Sequence, residues 1–527
     1  MSKHTQGGVA GPIARARRRM VEEGDLCIGE LLPQERVEQA VERHQVRFRE
    51  RLYTPLVTLW TFLYQVLGSD QSCRSAVARL LARLSCVGDG PQQRCPSAKT
   101  DPYCKARQRL PEGLIADLAR QSGAELHRQV PAAGLLRGRP IKIADGTTVS
   151  MPDTRANQKC YPQPSSQKAG VGFPMLRLVG LICLSCGAVL DMAMGPYAGK
   201  QTGETALLRQ LLGGLDAGDV LLGDACFANY WTTASLLGRG VDLLSHHDGR
   251  RRVDFRTGRR LGPEDHLVQW PKPPRPAWMS RRMYRDLPES LPVRELRVAV
   301  DRRGFRTRRL CLVTTLLDAS LYSAADLAAA YRARWNAELD LRSIKQVMRM
   351  DVLRCKTPQM VRKELWMHLL AYNLVRKLMA RSAAGAGIGP RDISFTGSLQ
   401  TLAAFAAVWQ RPAPDRRVNL YAAVLRAVAT HRVNDRPDRV EPRAGIEPME
   451  VPFGSEGISG RAGLRREMKA LYFAPRPPCR RSTTLKPGRG FRDGESVERV
   501  DRPLHATGAR GGHALVALGD EPVGGAR

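Results

Sequence analysis

The stretch from Tyr331 to Lys345, YRARWNAELDLRSIK, carries four side chains whose types and spacing suit phosphate and metal chemistry. Tyr331, Arg334, Glu338 and Lys345 follow a Tyr-x2-Arg-x3-Glu-x6-Lys pattern. At about 100° per residue, these offsets place all four within roughly a 60° stripe of one helix face. A mixed-charge stripe is also what a solvated helix face looks like, so the stripe gains chemical meaning only if other acids meet Glu338. Two aspartates stand where short buried strands are predicted to end: Asp145 after Ile141 and Ile143, and Asp224 closing DVLLGD. Three carboxylates can hold two Mg2+ ions, one activating a water or 3′-hydroxyl and the other stabilising the leaving oxygen of an in-line phosphoryl displacement.

The elements that must position these acids follow from periodicity. Residues 41–135 read as helical, with Leu56, Leu59, Phe62 and Leu63, then Val77, Leu80, Leu81 and Leu84, at helical spacing. Arginines such as Arg43, Arg74 and Arg83 decorate these helices, as DNA contacts or as a plain solvated face. From Pro140 the period changes. Two apolar runs broken at Gly187 predict a hairpin, followed by a helix at 202–212, a strand at 219–224, a helix at 228–237 and a strand at 241–245. This order predicts a mixed α/β sheet, in which sites gather beyond strand ends. Residues 249–317, rich in Arg and Pro, read as a β-rich insertion; a helix over 324–350 carries the stripe, and another runs from Thr357-Pro358 to about residue 382. Residues 383–435 read as further helices, 1–40 as a flexible basic start, and 436–527 as a poorly ordered tail.

The chain has 527 residues, with 83 Lys and Arg against 51 Asp and Glu, a net charge of +32. A surplus of that size points to a polyanionic partner, nucleic acid first and anionic membrane second. The 12 cysteines form no dense framework, and the Cys183-x-x-Cys186 pair lacks the further ligands of a zinc site. Reduced thiols in a cytoplasmic compartment are the expectation. The start MSKHTQGGVAGPIARARRRM has no apolar core of the secretory kind, and no membrane span is predicted.

With both aspartates in register with the stripe, the chain resembles the DDE transposases of bacterial insertion sequences, in particular the insertion sequence four family with its Tyr-Arg-Glu-Lys signature. The resemblance is carried by Asp145 in KIADGTTVSMPDT, Asp224 in VLLGDACFANYW and Glu338 in YRARWNAELDLRSIK, and extends over residues 55–435. It implies a ribonuclease H-like catalytic core at 136–382, with Asp145, Asp224 and Glu338 as ligands of Mg2+, for which Mn2+ can substitute. Tyr331, Arg334 and Lys345 would contact the transposon-end backbone, and Trp270, or in second place Trp278, would stack on a displaced base unless it packs inside the insertion. The implied partners are DNA, as terminal inverted repeats and target, and a second copy of the chain in the end complex. The activity so implied is DNA strand cleavage and strand transfer; the alternative is an inactive remnant that only binds DNA. Asp153, Asp191, Asp219 and Asp340 are the acids most easily mistaken for the three.

Overall fold

In this computed structural model, residues 26–49, 51–87, 97–168, 170–299, 309–408 and 414–433 are described. The expected 436–527 tail and the first 25 residues lie outside them. The apolar runs form strands β1 (Ile141–Ser150), β2 (Met175–Cys183), β3 (Val189–Pro196), β4 (Val220–Gly223) and β5 (Asp242–His246). The insertion adds β6 (Arg259–Gly262), β7 (Asp265–Pro271), β8 (Ser290–Ala299) and β9 (Arg309–Thr314). They pair in the order β3-β2-β1-β4-β5-β9-β8-β7-β6. Strand β2 is antiparallel to both β1 and β3, while β4 and β5 run parallel to β1. That 3-2-1-4-5 arrangement is ribonuclease H-like. The insertion extends the same sheet, because β9 pairs antiparallel with β5 on one side and with β8 on the other.

The hairpin between β2 and β3 turns through Gly187, whose φ of +73° favours glycine. A Cβ there would also lie 2.8 Å from the Arg376 guanidinium carbon. β1 departs from expectation. It does not end at Asp145 but runs five residues further, paired with β2 throughout and with β4 only from Ile141 to Ile143. Asp145 therefore marks where β4 peels away.

The helices are α1 (Leu26–Leu31), α2 (Gln34–Arg43), α3 (Pro55–Leu67), α4 (Cys73–Val87), α5 (Asp101–Arg109), α6 (Glu112–Arg128) and α7 (Arg155–Cys160). Between the strands lie α8 (Glu204–Leu211), α9 (Tyr230–Leu237) and α10 (Arg281–Arg285). After the sheet come α11 (Ala324–Arg332), α12 (Trp335–Arg342), α13 (Pro358–Ala386), α14 (Phe395–Val408) and α15 (Pro414–Thr430). Helix α9 provides the crossover that the parallel neighbours β4 and β5 require. Helix α13 spans 29 residues, is buried on most of its circumference, and ends at Gly387 with φ +67°.

Loose order is expected through residue 40, but α1 and α2 bury Ile28, Leu31, Leu32, Val37 and Ala40. The reason is α13. Lys377 donates to the Leu31 carbonyl at 3.0 Å and pairs with Glu125 of α6 at 2.6 Å, tying α1 and α6 to one helix. The apolar core is continuous from Ile28 through the sheet to Val428, so the N-terminal helices share the core of the sheet. Some of their arginines are already engaged, Arg43 with Asp117 at 2.6 Å and Arg83 in a buried position. The eight cysteines whose side chains are described are free, and no described helix is long and apolar enough to cross a membrane.

Candidate active site

The helix expected over 324–350 is broken twice. Ser323 caps α11, its hydroxyl accepting from the Asp326 amide at 3.1 Å. At 331–337 the hydrogen bonds tighten to i→i+3, with Arg334 N to Tyr331 O at 3.0 Å and Ala337 N to Arg334 O at 2.9 Å. Past α12, Ser343–Val347 form a π-turn, closed by the Met348 amide on the Ser343 carbonyl at 3.0 Å. Both changes shift the angular phase, so the four residues of the stripe do not share one straight helix face.

What converges is a smaller set. The Arg334 guanidinium lies 3.7 Å from Asp145 Oδ1 and 3.4 Å from Glu338 Oε1. Burial works against its charge, but Tyr331, Asp145, Asp224 and Glu338 together overcome that and hold Arg334 more firmly protonated than usual. Burial pushes Asp145 up to about 7, with Arg334 opposing and the Glu338 and Glu204 charges adding to the rise. Asp224 sits just past β4, where its carboxylate accepts from the Ala225 amide at 2.7 Å and begins a 3-10 turn over Ala225–Phe227. Ser245 of β5 fixes that corner by donating to the Asp224 carbonyl at 2.8 Å. Tyr331 is buried beside His246, ring centroids 6.1 Å apart, and burial raises its phenol to about 12.

Lys345 stands apart from this set. Burial lowers its pKa, and Asp351 is the charge that opposes the effect. Trp270 lies in the insertion's own core: 2% exposed, packed with Tyr230, Leu291 and Val293, its indole N–H donated to Glu295 at 2.9 Å. Arg251 covers its ring at 4.1 Å, so no face is open to a base. The expectation of base stacking by Trp270 is thereby corrected: its indole is a packing group. Trp278 is only half-buried and lies under the Arg209 guanidinium at 4.0 Å.

The confusable acids are each occupied elsewhere. Asp219 pairs with the buried Lys142 at 2.6 Å and Asp191 with Arg120 at 2.7 Å, while Asp153 accepts from Gln158. Asp340 has no exposed surface; it is held by Arg376, by Arg391 at 2.9 Å and by the Tyr372 hydroxyl at 2.9 Å. One carboxylate that the sequence does not signal reaches the site. Glu204, at the start of α8, lies against Gly146 and accepts a long 3.8 Å contact from the Cys226 thiol. No motif marks it; only the fold brings α8 beside β1.

The donors are hard oxygens, which is the chemistry that suits a divalent cation such as Mg2+. Among the described residues, no three Asp, Glu, His or Cys side chains are grouped tightly enough to hold an ion directly. Arg334 spans two of the acids instead.

Residues 136–374 match the family described as "Transposase DDE domain". Over that stretch the chain is similar to the DDE transposases. It is 26% identical over 441 residues to the transposase InsG for insertion sequence element IS4 of Escherichia coli (strain K12), covering 81% of this chain and 93% of that protein. A shorter stretch of 71 residues is 34% identical to the transposase for insertion sequence element IS421 of Escherichia coli, 14% of this chain and 19% of that one. Among solved structures, the cryo-EM structure of the piggyBac transposase synaptic complex with hairpin DNA matches with a TM-score of 0.39 and 10% identity, over 80% of this chain and 87% of that chain. DDE transposases cut and join DNA strands and in general use divalent metal ions.

Proposed function

We propose that this transposase binds the terminal inverted repeats of its element and catalyses Mg2+-dependent strand cleavage and strand transfer, acting in the cytoplasm as a homodimer on paired ends. The observation that supports the reading is Arg334, 3.7 Å from Asp145 and 3.4 Å from Glu338, with the Asp224 charge also acting on it. Asp145, Asp224 and Glu338 would hold Mg2+, with Mn2+ able to replace it. When bound, the metal supplies an activated oxygen nucleophile and stabilises the leaving oxygen.

The chain's own residues do the positioning. Arg334 neutralises Asp145 and Glu338 before metal and DNA arrive, and then turns to a phosphate of the end, as its planar fork suits. Tyr331, too buried to lie along DNA, holds Arg334 in place. Lys345, half-exposed and free of the acid cluster, is the backbone contact. The surplus of +32 supports a DNA partner. The role of base stacking passes from Trp270 to Trp278.

The test uses the purified chain with DNA carrying the terminal repeats of its element. Nicking at the repeat ends with Mg2+ or Mn2+, abolished in Asp224→Ala, is the expected result. Binding without nicking, with Asp224→Ala indistinguishable from the unaltered chain, would leave only the DNA-binding remnant.

A further inference from the structure

The Cys183-x-x-Cys186 pair takes no part in the acid site. It spans the turn between β2 and β3, where the Gly187 amide donates to the Cys183 carbonyl at 2.9 Å and the Cys183 amide to the Ala188 carbonyl at 2.9 Å. Such a reversal brings Cα atoms three residues apart to within about 7 Å, a separation that a disulfide can span. Both thiols are free, and they lie in hydrogen-bonding contact with each other. The turn is fastened from behind. Arg391, beyond α13, donates to the Cys183 carbonyl at 3.3 Å, and the Tyr372 hydroxyl donates to the Gly187 carbonyl at 2.9 Å. These anchors keep the two sulfurs opposed.

Buried cysteines ordinarily serve as small apolar side chains, and Cys183 and Cys186 do pack with Leu126 and Ala188. Packing does not account for their polar surroundings. His127, half-buried in the last turn of α6, brings Nδ1 to 3.1 Å from Cys183 Sγ. The Arg376 guanidinium lies against Gly187, and the charges of Arg376 and Arg391 both reach Cys186. The pair is polarised as a result. The Cys186 thiol, followed by His127, holds Cys183 well below the usual thiol range although burial works against it. The hydrogen bond to Cys183, followed by burial, pushes Cys186 well above that range. One sulfur is thus a nucleophile and its neighbour keeps its proton, which is the division of labour of an oxidisable dithiol.

We propose that Cys183 and Cys186 form a modification site, closed to a disulfide by hydrogen peroxide with His127 as the proton carrier. The site stands independently of the metal-dependent reading above. The Cys183 proton passes to His127 Nδ1, and the thiolate attacks one peroxide oxygen. The O–O bond breaks, and the departing hydroxide takes that proton and leaves as water. Cys183 is then a sulfenic acid. Cys186 attacks its sulfur, the S–O bond breaks, and the hydroxyl leaves with the Cys186 proton as a second water. Two thiols lose two electrons, and one peroxide is reduced to two waters. The oxidant has to be small, because Cys183 and Cys186 are only 1% and 5% exposed. Peroxide is little larger than water, whereas a bulky disulfide is shut out.

The experiment treats the reduced, folded full chain with hydrogen peroxide in EDTA, stops the reaction by alkylation under denaturing conditions, and maps each cysteine by mass spectrometry. The exposed Cys160 is the internal comparison. The expected result is a Cys183–Cys186 disulfide, reversed by dithiothreitol, that forms before Cys160 is modified. His127→Phe, which keeps a ring and removes its nitrogens, is expected to slow the closure about 10-fold. Oxidation of Cys160 while Cys183 and Cys186 stay reduced overturns the proposal and leaves the pair as packing groups. An unchanged rate in folded His127→Phe overturns the role of His127. Should that variant fail to fold, the unaltered chain still decides, through the order in which its cysteines react. Closure by oxidised glutathione as fast as by peroxide would overturn the choice of oxidant.

Discussion

Arg334 lies 3.7 Å from Asp145, a contact between the junction of two helices and the middle of a strand nearly two hundred residues earlier. The contact exists because the i→i+3 turns at 331–337 swing Arg334 off the regular helical phase toward the sheet. In the metal-free protein it acts as the counter-ion of Asp145 and Glu338. Arg334→Gln leaves both carboxylates partly desolvated and uncompensated. The expected cost is on the order of 1–3 kcal/mol in urea unfolding with EDTA present, together with loss of strand cleavage. Equal unfolding midpoints for the two proteins would refute the counter-ion role.

Asp145 gives a pH dependence whose sign can be worked out. Burial raises its folded pKa to about 7, against an ordinary value of 3.8. Below the unfolded value both states hold the proton and the group contributes nothing. As pH rises from about 4 to about 7 the unfolded chain releases its proton first, so the native state loses stability relative to a neutral side chain. Asp145→Asn is therefore expected to be more stable than the unaltered chain in EDTA, with the gap wider at pH 8 than at pH 5. The gap should reach a few kcal/mol, since each tenfold difference in proton affinity between the two states is worth about 1.4 kcal/mol. Saturating Mn2+ stabilises only the chain that keeps Asp145. A gap that narrows with rising pH would contradict the assignment.

Asp340 is two residues from Glu338 and does a different job. Fully buried among Arg376, Arg391 and Tyr372, it leaves two guanidinium groups without a carboxylate when removed. Asp340→Ala is expected to cost about 3–5 kcal/mol, read from denaturant midpoints. A variant within experimental error of the unaltered chain would show that the network is dispensable.

The two insertion tryptophans separate stability from DNA contact. Trp270→Ala empties a packed site and should cost about 3–5 kcal/mol. Trp278→Ala should leave the unfolding midpoint nearly unchanged and weaken binding to end DNA in gel shifts, by about 1–3 kcal/mol if a base stacks there. Weakened end binding in a folded Trp270→Phe, with Trp278→Ala normal, would restore the stacking role to Trp270.

Gly123 of α6 sits where the helical layer meets β3. A Cβ there would lie 2.3 Å from the Val189 carbonyl oxygen, a backbone atom that cannot step aside. Gly123→Ala is expected to destabilise by about 1–3 kcal/mol, measured by thermal or urea unfolding. A neutral or stabilising effect would mean that the α6–β3 seam adjusts freely.

How much of this could be read from the residues follows from the physics of each element. Short apolar runs bounded by Gly and Asp reveal β2, β4 and β5, because a strand buried on both faces has no polar alternation to disguise it. The extension of β1 past Asp145 is hidden, since DGTTVS looks like turn chemistry and is held as strand only by pairing with β2. The departure of Lys345 from the stripe is hidden too: angular reasoning assumes one pitch, and neither the tight turn nor the π-turn at 343–347 has a side-chain signal. For Trp270 the resemblance suggests base stacking and leaves packing open, because the partner that buries it, Glu295, lies 25 residues away on β8. Glu204 has no motif at all, and only the packing of α8 against the sheet gives it a place.

The pairing of β9 with β5 has a practical side for anyone exchanging parts between such proteins. Removing residues 249–317 as a block would strip β9 from β5 and leave β5 as a bare, apolar outer strand, the kind of surface that recruits other chains and precipitates. Cutting instead within the outer hairpins, at the turns flanking β6 and β7, keeps β8 and β9 as a protective border. A graft designed on those joints inherits the twist of the host sheet, and the donor loops ride on it without disturbing the strand that ends at His246.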